Sequence, residues 1–147
     1  MGSNEENVAV LKRLREMLSR QREKLGSYLV LLEKEKDAIQ RGDSTLLLTQ
    51  VEMEKSIIQD LAVLKKVIAP LSTLYQAAYP ASEETIPRLK ATLDTMHNDV
   101  IVRNARNRQL LREKMDQLRG EISSLRAWPK DASPYAEVAP GLVDITT

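Results

Sequence analysis

Few side chains in this sequence could carry out chemistry. His97 is the single histidine and there is no cysteine, so nucleophilic triads, thiol chemistry and histidine–cysteine metal spacing all lack their parts. No glycine-rich phosphate loop occurs. His97 follows an apolar seam residue, Met96, and reads as a surface histidine; no enzyme activity, cofactor or metal is expected. The run RNARNRQLLR places Arg103, Arg106, Arg108 and Arg112 within one short stretch. It has no interleaved aromatics and its charges spread around a helix, whereas a nucleic-acid reader needs a stripe and stacking platforms. Asp94, Asp99, Glu113 and Asp116 nearby supply ordinary helix ion pairs. That leaves recognition by apolar surface and amide hydrogen bonds, and the residues for it lie on a long helix.

Between Leu89 and Leu125, apolar residues recur at 89, 93, 96, 100, 111, 115, 118, 122 and 125, with Asn104 and Asn107 filling the gap. The mean spacing is about 3.6, the period of a straight α-helix. This stripe is expected to organise the fold, with the rest of the chain covering it. The two asparagines sit where a leucine would be expected. A buried amide without partners costs about 1–3 kcal/mol, so these amides either fix helix register or meet an incoming helix.

The other elements are set by punctuation and period. The first helix is expected from about Glu5 to Gln40. Leu11, Leu18, Leu25, Leu32 and Ile39 mark a seven-residue repeat, which Arg15, Gln21, Arg22 and Glu35 dilute. So mixed a seam predicts a partly covered helix, and Gly26 reads as a tolerated interior glycine. Arg41-Gly42-Asp43-Ser44 predicts a turn, with Gly42 in the left-handed position and Asp43 or Ser44 capping the next helix. That second helix is expected over Thr45–Ala78, its seam at Ile57, Leu61, Leu64, Ile68, Leu71, Tyr75 and Ala78. Pro70 predicts a kink there, or a break near Ala69. Tyr79-Pro80-Ala81-Ser82 predicts the second turn, and Trp128-Pro129 the end of the third helix.

The fold class expected is therefore all-α: three long antiparallel helices in a coiled-coil-like bundle over residues 5–127, and a mobile tail over 128–147. Length and composition agree. The 147 residues hold no phenylalanine, 3 % aromatics and 29 % charged side chains, little material for a compact globular core. A net charge of +1 gives no general pull towards nucleic acid or anionic membrane. No apolar run is long enough to span a bilayer, so a soluble cytoplasmic protein is expected. Leu46, Leu47, Leu48, Val51 and Met53 nearly encircle the start of the second helix, and Val100, Ile101 and Val102 do the same in the third. Part of that surface should stay uncovered, as helix-binding grooves do. The tail carries Tyr135, Val138, Leu142, Val143 and Ile145, too apolar for an idle linker.

At several points the sequence resembles the FlgN family of flagellar export chaperones. The matching pieces are LLEKEKDAIQRGD, VEMEKSIIQDLAVL, VRNARNRQLL, and a tail with PY and GLVDI. Their order and spacing, more than any one of them, carry the likeness. The resemblance implies a cytoplasmic chaperone of the flagellar type III export pathway. Its clients would be the amphipathic C-terminal helices of hook-associated proteins, held unassembled before export; the export apparatus is a further candidate partner. By position, Glu54 and Lys55 match the family's Glu-Lys pair, Asn104, Asn107, Leu110 and Leu111 its Asn-Leu segment, and Tyr135, Leu142 and Ile145 its tail motif. The candidate partner-binding set is Val100, Asn104, Asn107, Leu110, Leu111, Tyr135, Leu142, Val143 and Ile145. The tail lacks the basic ending of many members. Rival readings are a structural coiled-coil subunit of another assembly and a weak helical nucleic-acid binder. Monomer and dimer are both open.

Overall fold

The computed structural model describes residues 2–79 and 84–126, in three helices: α1 Gly2–Arg41, α2 Ser44–Ala78 and α3 Thr85–Arg126. No strand occurs among the described residues. The chain divides into two units, Met1–Asn107 and Arg108–Thr147. The expected turn at 80–82 and tail at 128–147 lie outside the described residues.

The α1–α2 turn forms for the reasons its residues suggest. Gly42 has φ +70°, a left-handed conformation that a Cβ would strain. Its N–H donates to the Ile39 carbonyl, and the Asp43 N–H donates to that of Ala38; together these close the helix end. The Asp43 carboxylate then accepts from the Leu46 N–H at 3.1 Å and caps α2.

So short a connection makes the two helices antiparallel. Lys24 pairs with Asp60 at 2.8 Å and the Tyr28 hydroxyl donates to Glu54, so rising numbers on α1 meet falling numbers on α2. By contrast α3 runs parallel to α1: Arg103 reaches the Leu29 carbonyl and Asn107 that of Leu32. The unit is thus an up–down–up bundle.

Its centre is α1 rather than α3. Leu14, Leu18, Leu25, Tyr28, Leu32 and Ile39 are buried along one column, and Met17, Leu31 and Ala38 along a second. A helix with two adjoining apolar columns can bury against two neighbours at once. Arg15 and Arg22, which dilute the heptad on paper, simply point to solvent. The first helix is therefore deeply covered, not partly covered. Within this unit the stripe of α3 is covered: Ile86, Leu93, Val100 and Asn107 are buried, Leu89 and Met96 half-buried.

The expected α2 seam is the observed one. Tyr75 is buried and the other six positions are half-buried. The helix runs unbroken through Pro70. Both Pro70 and Lys66 are exposed, so the Lys66 carbonyl that loses its partner can take water, while Ile68, Leu71 and Tyr75 pack on the core. That packing offsets an interior proline's cost of about 3 kcal/mol. At Gly26, a Cβ would meet the Met96 methyl at 3.9 Å, an ordinary contact, so this glycine is tolerated rather than required.

Candidate partner-binding surfaces

Two of the four arginines in the α3 run, Arg103 and Arg106, reach α1, while Arg108 and Arg112 are exposed. Arg106 Nη2 lies 3.0 Å from a Glu33 carboxylate oxygen and Arg103 Nη1 3.5 Å from the same oxygen. Glu33 is held below the usual carboxylate range, first by the Arg106 hydrogen bond and then by the charges of Arg106 and Arg103. Asn107 donates its amide to the Leu32 carbonyl at 2.9 Å, and Arg106 donates to its Oδ1 at 3.4 Å. Amide and guanidinium together fix where α3 sits along α1. Glu33 was visible in sequence only as one acidic residue among many.

The candidate set therefore separates. Val100 is buried in the core, Asn107 is buried against α1 and Asn104 is half-buried. All three lie in the first unit. Leu110, half-buried, and Leu111, exposed, lie in the second. Tyr135, Leu142, Val143 and Ile145 fall outside the described residues. Of the Glu-Lys pair, Glu54 is half-buried and accepts the Tyr28 hydroxyl at 2.6 Å, whereas Lys55 is exposed and pairs with Glu52.

Several apolar side chains stay exposed among the described residues, Leu48, Met53, Ile101 and Val102 included, and two surfaces are extensive enough to take a partner helix. Within the first unit, a groove of about 600 Å³ opens between α2 and α3. Leu18, Leu25, Leu61, Ile68 and Leu93 line it, together with Lys65, Lys90, Asp94 and His97. Within the second unit, Leu111, Met115, Leu118 and Leu125 are between 37 and 59 % exposed, and Ile122 is half-buried. Their spacings of four and three put them on one face of α3, the pattern of a helix seam. Among the described residues, no group of three metal-ligating side chains occurs, and no helix is long and apolar enough to cross a membrane.

Residues 1–137 match the family described as FlgN protein. The chain belongs to the FlgN family. A protein of Treponema pallidum (strain Nichols), itself uncharacterised, is 34 % identical over 120 residues, covering 82 % of this chain and 77 % of that one. No solved structure matches. Membership makes this a chaperone of flagellar export, a family of binding proteins rather than enzymes, with flagellar proteins as partners.

Proposed function

We propose that this FlgN-family chain is a cytoplasmic chaperone for hook-associated proteins, and that it receives their amphipathic C-terminal helices on the α3 face from Leu111 to Leu125. The observation that carries the reading is that face. The first unit fills its own seam with Ile86, Leu93, Val100 and Asn107, whereas the stripe from Leu111 onwards is left accessible. A subunit whose terminal helices pack into a coiled coil only after assembly exposes an apolar stripe beforehand, and a chaperone need only lend the missing helix. Residues 108–126 carry five basic and three acidic side chains, which favours a client helix with an acidic flank. On this reading Leu110 and Leu111 begin the binding face, Val100, Asn104 and Asn107 hold the bundle that presents it, and Tyr135, Leu142, Val143 and Ile145 provide a second contact with client or export apparatus.

Calorimetric titration of a C-terminal hook-associated peptide tests the proposal. Binding with a negative heat-capacity change is expected, because apolar area is buried. Leu118→Asp should weaken it by about 1.5–3 kcal/mol, the transfer energy of one buried leucine, while leaving the melting temperature unchanged. Absence of binding up to ~100 µM peptide, a weak limit on the affinity scale, would refute it. A large self-assembled mass in solution would instead favour a structural coiled-coil subunit.

A further inference from the structure

Apart from the client surfaces, one part of the seam does not obey the logic of an apolar core. Near the Gly42 turn, α1 and α2 bury polar side chains against each other. Glu35 is 4 % exposed, among Leu31, Leu32, Ala38 and Ile39, and Gln50 on α2 is 5 % exposed. Glu54, one helical turn from Gln50, already accepts the Tyr28 hydroxyl at 2.6 Å. Burial and the neighbouring Glu54 both favour a protonated Glu35 carboxyl, which can then donate to the Glu54 carboxylate. Two carboxylates offer only acceptors, so a hydrogen bond between them requires the proton on Glu35. Glu35 Oε1 and the Gln50 side-chain oxygen have no hydrogen-bond partner, so the layer offers acceptors in excess of donors.

We propose that Glu35 holds a proton, shared in a hydrogen bond it donates to Glu54, and that losing this proton loosens the turn end of the α1–α2 hairpin. The charges on each packed element leave Glu35 without a compensating cation. On α1, Glu33 is taken up by Arg103 and Arg106, and Lys36 acts on Glu33. On α2, Lys55 is exposed and paired with Glu52. On α3, Arg103 and Arg106 face Glu33 and the Leu29 carbonyl, and Asn107 faces the Leu32 carbonyl. Among the described residues, the charge that acts on Glu35 is that of Glu54, which repels it.

Burial first, then the Glu54 hydrogen bond and charge, push the Glu35 carboxyl from 4.5 up to about 8. The folded chain therefore keeps a proton that the unfolded chain releases near 4.5. Stability from that proton is complete below about 4.5, declines as pH rises, and is exhausted above about 8. Across that window the unfolding constant should rise by up to about tenfold per pH unit. Glu33 acts in the opposite sense: its lowered pKa supports the fold above 4.5 and fails only in acid. The two effects occupy different ranges and can be told apart.

The test uses the full chain. Side-chain carboxyl carbons of glutamate are followed by NMR from pH 4 to 9.5, roughly spanning the window above, and urea unfolding is measured across it for the parent, Glu35→Gln and Glu54→Gln. One glutamate should titrate above pH ~7, near the raised value and far from a normal carboxyl. That resonance should vanish in Glu35→Gln and move towards the ordinary range in Glu54→Gln. Glu35→Gln, whose amide can still donate to Glu54, should lose the pH slope of stability. The shared proton is ruled out if every glutamate of the parent titrates below pH ~6. It is also ruled out if Glu35→Gln keeps the parent's slope. Should Glu35→Gln fail to fold, the parent titration and the Glu54→Gln shift still decide the matter.

Discussion

Truncating Asn107 to alanine measures what the buried amide contributes to the bundle. In the structure the amide makes one good bond, 2.9 Å to the Leu32 carbonyl, and accepts two long contacts of 3.4 Å from Arg106. The Leu32 carbonyl keeps its own helical N–H partner, so its second lone pair is left under-satisfied rather than orphaned. Arg106 keeps Glu33. The loss is therefore one net hydrogen bond, about 0.5–1.5 kcal/mol, plus a small packing defect. Asn107→Ala should cost about 1–2 kcal/mol, or roughly 2–8 °C in melting temperature for a chain of this size. Asn107→Leu loses the same bond but gains burial of about 1.5–3 kcal/mol, so it should match or exceed the parent in stability while fixing α3 less uniquely along α1. Urea unfolding followed by far-ultraviolet circular dichroism gives both numbers, and mass in solution reports any loss of specificity. An Asn107→Ala protein as stable as the parent would refute the role of the amide. An Asn107→Leu protein with much weaker client binding but unchanged mass and stability would move Asn107 from the bundle to the recognition surface.

Other expectations concern the turn and the helix interior. Gly26→Ala should stabilise the protein by about 0.5–1 kcal/mol, since the new methyl meets Met96 at an ordinary distance; a fall in the urea midpoint would show that α1 and α3 need the closer approach. Asp43→Ala should cost about 1 kcal/mol by leaving the Leu46 N–H uncapped, and Asp43→Asn should recover most of it; equal stability of all three proteins would exclude the cap as a determinant of the hairpin.

Local elements were readable from residues alone because they rest on local physics. Gly42 and Asp43 specify the turn through backbone conformation and one side-chain bond, and the four-three spacing of Ile57 to Ala78 specifies the α2 seam. The same holds for the shared pattern by which the chain resembles its family. What the sequence could not rank was the three apolar stripes. The α3 stripe is the longest on paper, yet α1 lies at the centre, because Met17, Leu31 and Ala38 form a second column whose value depends on having two neighbours to bury against. Burial also decided which polar residues matter. Glu35 and Arg15 both interrupt the α1 pattern, but twenty residues apart they lie about 160° from each other around the helix, which puts one in the seam and the other in water. Likewise Arg103 and Arg106 are anonymous charges until α3 lies parallel to α1 and brings Glu33, some seventy residues earlier, within 3.5 Å. Spacing along a chain fixes which face of a helix a residue occupies; only packing fixes what that face meets, and the energy of a polar group is set by what it meets.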